Sequence, residues 1–228
     1  MANNQRRVRA LVFDAYGTLF DVYGVTALCE ELFPGKGAAL ASLWRAKQLH
    51  YSLLRSLMER YRDFWHLTED GLVYAAKSLG LALTPEGRER LMQSYLVLPA
   101  FPDARAGLER LKAMDIRLAI LSNGSPAMLS AAVASAGLAT LLDDVISVDE
   151  VRVFKPSPRV YGLVESHLGV APAATGFVSS NSWDVNGAGA AGLTAYWIQR
   201  AVGEPQEELG FPAARVLGAI TDLPDLVR

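Results

Sequence analysis

Side chains capable of chemistry recur in this 228-residue chain at one kind of position, just after short apolar runs. Asp14, Tyr16 and Thr18 follow the run Val8 to Phe13, and Ser122 and Asn123 follow Arg117 to Leu121. Lys155 comes shortly after Val145 to Val148, while Ser179, Ser180, Asn181 and Asp184 close the run Thr175 to Val178. Asp14 is the sole carboxylate at the first of these ends, which makes it the candidate nucleophile. No histidine accompanies it: His50 and His66 fall in a helix-patterned stretch and His167 in a surface helix. The chain has no G-x-S-x-G elbow either, so a Ser-His-Asp hydrolase is disfavoured. The one cysteine, Cys29, lacks an activating neighbour in sequence and reads as a small buried residue.

Bringing those side chains together is a task for strands. The apolar runs named above, with Thr194 to Ile198 and Arg215 to Leu217, read as buried strands separated by helical stretches. Strand and helix in alternation, with near-continuously apolar strands, predict a parallel sheet covered on both faces. Such sheets collect ligands at the carboxyl ends of their strands, where every residue singled out here would lie. Between Asp21 and about Pro99 the alternation stops, and apolar residues fall at helical spacing, as at Leu40, Leu43, Trp44, Leu54, Leu57, Met58 and Tyr61. The simplest organisation is an α/β core, residues 1–20 and 100–228, with an all-helical insert over 21–99. Asp103 is expected to cap the helix that follows the insert.

Composition narrows the functions available. Hydrophobic residues make up 51% and charged residues 20%, which fits a globular chain and excludes a disordered one. The formal net charge of −2 offers no basic footprint for nucleic acid. Leu118 to Leu142 carries no charge, yet Ser122-Asn123-Gly124-Ser125-Pro126 interrupts it, so strand, turn and helix are expected rather than a membrane span. The apolar run near the N-terminus is cut at Asp14, unlike a signal peptide, and a lone cysteine suits a reducing compartment; both point to the cytoplasm. Gly187 to Gly192 formally matches G-x-G-x-x-G, but it does not open directly after a strand, so tight helix packing is the expected role.

The same residues carry a family resemblance. Phe13-Asp14-Ala15-Tyr16-Gly17-Thr18-Leu19-Phe20-Asp21 resembles the first motif of the haloacid dehalogenase superfamily, and Leu121-Ser122-Asn123-Gly124 resembles the second. Lys155-Pro156 is similar to the third motif and Val178 to Asp184 to the fourth. Leu43 to Leu49 resembles a cap segment of one branch, the L-2-haloacid dehalogenases. What this implies is a Rossmann-like parallel sheet core with an inserted helical cap domain. The implied reaction is hydrolysis of L-2-haloacids to 2-hydroxy acids with inversion, through an aspartyl ester and without a metal or other cofactor.

Two positions bear on the reaction. Phosphatases of the superfamily carry an acid two residues after the nucleophile and further acids in the fourth motif; Tyr16 and Ser180 stand there instead. A departing alkoxide needs a general acid, whereas a halide does not, and a phosphoryl group needs a cation to offset its charge. Dehalogenation is therefore favoured over the alternative, a phosphatase with a degenerate metal site. Two like charges at about 4 Å repel by about 4 kcal/mol at an effective dielectric of ~20, so Asp14 meeting a haloacid carboxylate requires compensating cations. By resemblance Arg45 receives the halide and Lys155 orients Asp14. Asp184, Ser179 and Asn181 serve the attacking water, Thr18, Ser122 and Asn123 hold Asp14 and the substrate, and Tyr161 supports Lys155 or Asp184. The implied apolar wall is Tyr16, Leu49, Phe64 and Trp183; Ala46 departs from the larger polar residue common in the family, which leaves pocket size open. The partners implied are the small haloacid, the halide and a second copy of the chain in a homodimer.

Overall fold

A computed structural model describes residues 8–201 and 203–227. Six strands form one parallel sheet: β1 (Ala10–Phe13), β2 (Arg117–Ser122), β3 (Asp144–Ser147), β4 (Thr175–Ser179), β5 (Thr194–Ile198) and β6 (Arg215–Leu217). All six coincide with the expected apolar runs, and their order is β3-β2-β1-β4-β5-β6. The chain reverses its direction of winding between β1 and β4, the place where a doubly wound sheet leaves a crevice. Successive residues of a strand point to opposite faces, and Ala10, Leu11, Val12 and Phe13 are all fully buried. Both faces of the sheet are therefore covered at β1. The covering helices are α5 (Ala104–Lys112), α6 (Pro126–Ser135), α7 (Pro158–Leu168) and α8 (Ser182–Ala190).

The uncharged stretch from Leu118 divides as its polar interruption requires. Ser125 accepts a hydrogen bond from the Met128 N–H and Pro126 takes the first turn of α6, so strand ends and helix begins within four residues. Among the described residues no helix is long and apolar enough to cross a membrane. The glycine run lies in and just after α8. A Cβ on Gly187 would stand 2.5 Å from the Tyr161 hydroxyl and 2.7 Å from Pro156, so the missing side chain lets α7 and its leading loop close on α8.

Between β1 and α5 the described chain is helical: α1 (Thr26–Leu32), α2 (Gly37–Leu57), α3 (Phe64–Ser78) and α4 (Pro85–Ser94). Asp63 and Thr84 cap α3 and α4, accepting from the N–H groups of His66 and Gly87. Leu40 and Trp44 are buried as the helical spacing predicts, but Leu54, Leu57 and Met58 are not; Leu57 is 72% exposed. The apolar stripe outlasts the core it serves: Leu54 and Met58 line a surface cleft beside Leu67 and Val73 of α3. Asp103 also departs from expectation. It precedes α5 without a side-chain capping bond, and its carboxylate instead accepts from Arg200 at 2.8 Å and the Ile220 N–H at 2.6 Å. A guanidinium and a backbone donor from distant segments satisfy the carboxylate better than one N–H of its own helix would.

Candidate active site

The carboxyl ends of β1 and β4, with the loop before α7, assemble a buried charged cluster. Asp14 leaves β1 with one carboxylate oxygen 3.0 Å from Lys155 Nζ. Its other oxygen accepts from Asn181 Nδ2 at 2.9 Å and Thr18 Oγ1 at 3.2 Å. Lys155 reaches a second carboxylate, Asp184 Oδ2, at 2.8 Å, and Tyr161 donates to Asp184 Oδ1 at 2.6 Å. Lys155 and Asp184 are almost wholly buried, whereas Asp14 keeps 6% of its surface open. The cluster thus has one partly accessible nucleophilic oxygen group and a closed electrostatic support behind it.

The protonation states follow from this packing. Burial pulls the Lys155 ammonium toward neutrality, but Asp14 and Asp184 outweigh it and hold the pKa above the ordinary lysine value. Burial is also the largest influence on Asp184 and pushes it up to about 6, with Lys155 opposing. Asp184 is therefore a carboxylate at neutral pH with more than usual proton affinity. Burial and the neighbouring Asp184 raise Tyr161 well above the ordinary phenol range, so it remains a donor. Burial raises the Cys29 thiol to about 11, which suits the inert packing role expected of it.

Local turns aim these groups. Gly17 has φ +98°, a conformation that favours glycine, and an added Cβ would stand 3.2 Å from Ser180 Oγ. Ser180 in turn donates to the Gly17 carbonyl at 2.8 Å, while its N–H donates to Thr18 Oγ1 at 2.8 Å. The turns after β1 and β4 are therefore stitched to each other. Arg200 ties the first of them again by donating to the Thr18 carbonyl at 2.7 Å.

Arg45 comes from α2, across the crevice, and is buried. Its Nη2 donates to the Tyr16 carbonyl at 2.9 Å. It lines an open cleft with Gly17, Leu49, Asn181, Trp183 and Arg200. Tyr16 and Phe64 lie in an aromatic group behind, their ring centroids 6.2 Å apart and Tyr95 packed beside them. Ala46 is exposed on α2. Three expected residues meet the backbone rather than the carboxylate. Ser122 and Ser179 accept from N–H groups two residues on, both at 3.1 Å, and Asn123 Oδ1 accepts from the Lys155 N–H at 3.0 Å. Each serine keeps its own O–H as a donor. Gln48 and Arg200 were not among the expected site residues. Gln48, three residues after Arg45 on the same helix face, had a signal in its spacing; Arg200 had none.

Comparison with known proteins gives the family. A family model described as haloacid dehalogenase-like hydrolase matches residues 8–192, and the chain belongs to that family. It is 47% identical over 203 residues to an (S)-2-haloacid dehalogenase of Pseudomonas sp. (strain YL), covering 89% of this chain and 87% of that one. A solved L-2-haloacid dehalogenase superposes with TM-score 0.94 at 47% identity, covering 97% of this chain and 99% of the other. The Xanthobacter autotrophicus L-2-haloacid dehalogenase with chloropropionic acid covalently bound gives TM-score 0.90 at 43% identity, over 97% and 98% of the two chains.

Proposed function

We propose that this protein is an (S)-2-haloacid dehalogenase, a hydrolase that converts L-2-haloacids to 2-hydroxy acids. The observation that carries the reading is the Lys155 ammonium between Asp14 and Asp184, at 3.0 and 2.8 Å. Relatives named for that activity and a neighbour with covalently bound chloropropionic acid support it.

In the first step an Asp14 oxygen attacks C2 opposite the halogen; the C–O bond forms, the C–halogen bond breaks and the centre inverts. Arg45 receives the departing halide, while the O–H of Ser122 and the amides near Tyr16 and Asn123 hold the substrate carboxylate. Leu49, Trp183, Tyr16 and Phe64 form the apolar side that keeps water from the reacting carbon. In the second step Asp184 takes a proton from water, whose oxygen attacks the Asp14 side-chain carbonyl carbon. The acyl C–O bond then breaks, Asp184 returns the proton to the departing alkoxide to free the hydroxy acid, and Asp14 loses the remaining water proton to become a carboxylate again. Ser179 and Asn181 shape the water site, Tyr161 keeps Asp184 aimed, and Thr18 holds the acyl group. A divalent cation fits the donor set poorly. Tyr16 and Ser180 contribute no carboxylate, and the two acids present already flank an ammonium.

The helical segment 21–99 is read as a cap domain on a core of 1–20 and 100–228, since it sends Arg45 and Leu49 into the cleft. A second copy of the chain is the proposed cover for Leu54, Leu57 and Met58, giving a homodimer, and the cytoplasm is the proposed location.

The test is halide release from both enantiomers of 2-chloropropionate, with and without EDTA, beside p-nitrophenyl phosphate. Release from the L form that survives chelation is expected, and a single turnover in ¹⁸O water should place label in Asp14 rather than in product. Magnesium-dependent phosphate release without halide release would establish the phosphatase alternative.

A further inference from the structure

Gln48 is fully buried and has no part in the two steps above. Its Nε2 donates to Thr68 Oγ1 at 2.9 Å, and the Thr68 hydroxyl spends its own proton on the Phe64 carbonyl at 2.7 Å. Thr68 can therefore only accept from Gln48, which fixes which way the amide faces. Gln48 Oε1 is left pointing at Arg45 Nη1, 3.4 Å away, and at the Tyr95 hydroxyl, 3.2 Å away. The reverse orientation would set an amide N–H₂ against the Arg45 guanidinium, which can only donate. Trp44 Nε1 pins the same stretch of α3 by donating to the Thr68 carbonyl at 2.7 Å. Gln48, Thr68, Trp44 and Tyr95 have essentially no exposed surface, so the chain of bonds works at low dielectric where each is strengthened.

The guanidinium at the end of this chain has a particular environment. Its hydrogen-bond partners among the described residues are neutral oxygens, Gln48 Oε1 and the Tyr16 carbonyl. A carboxylate in place of the amide would have the same shape and accept the same bond, but it would cancel the arginine's charge. We propose that Gln48 is a positioning residue that holds Arg45 in the cleft with a neutral acceptor, so that the full positive charge is available to the departing halide. The proposal rests on the reading of Arg45 as the halide acceptor. It explains why a long, polar and costly-to-bury side chain occupies a fully enclosed site one turn from that arginine.

Four variants test it: Gln48→Glu, Gln48→Met, Thr68→Val and Arg45→Gln. Halide release from L-2-chloropropionate and L-2-bromopropionate is followed in single turnovers, with bromide inhibition and thermal melting measured alongside. Gln48→Glu should slow chloride release on the order of 10²-fold, the scale seen when an electrostatic stabiliser is lost. Chloride is the poorer leaving group and leans harder on Arg45, so the bromide-to-chloride rate ratio should rise and bromide should inhibit less. Gln48→Met should act in the same direction by about tenfold, and Thr68→Val, which frees the amide to turn, more weakly. If Gln48→Glu and Thr68→Val change both substrates by one factor, with bromide inhibition as in the parent, Gln48 is a packing residue and the proposal fails. Should Arg45→Gln itself leave chloride release intact, the reading of Arg45 fails first.

Discussion

Lys155→Met is the perturbation on which the electrostatics can be worked most directly. The substitution keeps an unbranched stem in a buried slot and removes the cation that faces Asp14 at 3.0 Å and Asp184 at 2.8 Å. With charge centres about 4 Å apart and an effective dielectric of ~20, each pairing is worth about 4 kcal/mol. On the Asp14 side alone that corresponds to roughly a thousandfold in rate, at ~1.4 kcal/mol per decade. The two carboxylates would also face each other without a cation between them. Breaking one side of a buried ion pair destabilises by about 3–5 kcal/mol, and for a chain of this size each ~1 kcal/mol lowers the melting temperature by about 2–4 °C. The variant should therefore melt roughly 6–20 °C below the parent and still be folded at room temperature. Circular dichroism establishes that, and rapid-quench single turnovers with excess enzyme then report the first step alone. The expected result is a fall of about 10³ in the halide burst. A folded variant that releases halide within tenfold of the parent would show that Lys155 does not sustain the nucleophile.

Asp184 supplies a pH dependence. Burial raises it to about 6, and its basic form is lost as pH falls through that value, so kcat should decline on the acid side with an apparent midpoint near 6. Asp184→Asn should abolish that limb and accumulate the ester, visible as added mass on the peptide containing Asp14; parental turnover with an unchanged limb would remove Asp184 from the mechanism. Leu57, 72% exposed on α2, tests the homodimer. Leu57→Glu should shift sedimentation from dimer to monomer, and a parent that already sediments as a monomer would contradict that assembly.

The strands were legible because burial on both faces leaves almost no polar position inside them. Val12 and Phe13 have to be apolar for the same reason that Asp14, the next residue, can be reactive. The sheet ends there and the crevice opens. Residues whose position depends only on this rule, namely Asp14, Thr18, Lys155, Asn181 and Asp184, lie within one hydrogen-bonded cluster, as their places after the strands imply. Asp103, Leu57 and Met58 were harder to read, because each depends on what a distant segment offers. Asp103 gives up a cap for an arginine 97 residues away, and no local pattern encodes that exchange. Gln48 is the instructive intermediate. Its spacing from Arg45 is written in the sequence, but its meaning depends on the hydroxyl of Thr68 having already committed its proton to Phe64. An α2 residue becomes informative only when α3 fixes its orientation. On the proposal above, the charge of Arg45 is left uncancelled by a neighbour that hydrogen-bonds it without carrying a charge of its own, and of the substitutions at Gln48 the one that looks most conservative, Gln48→Glu, is expected to harm the chemistry most.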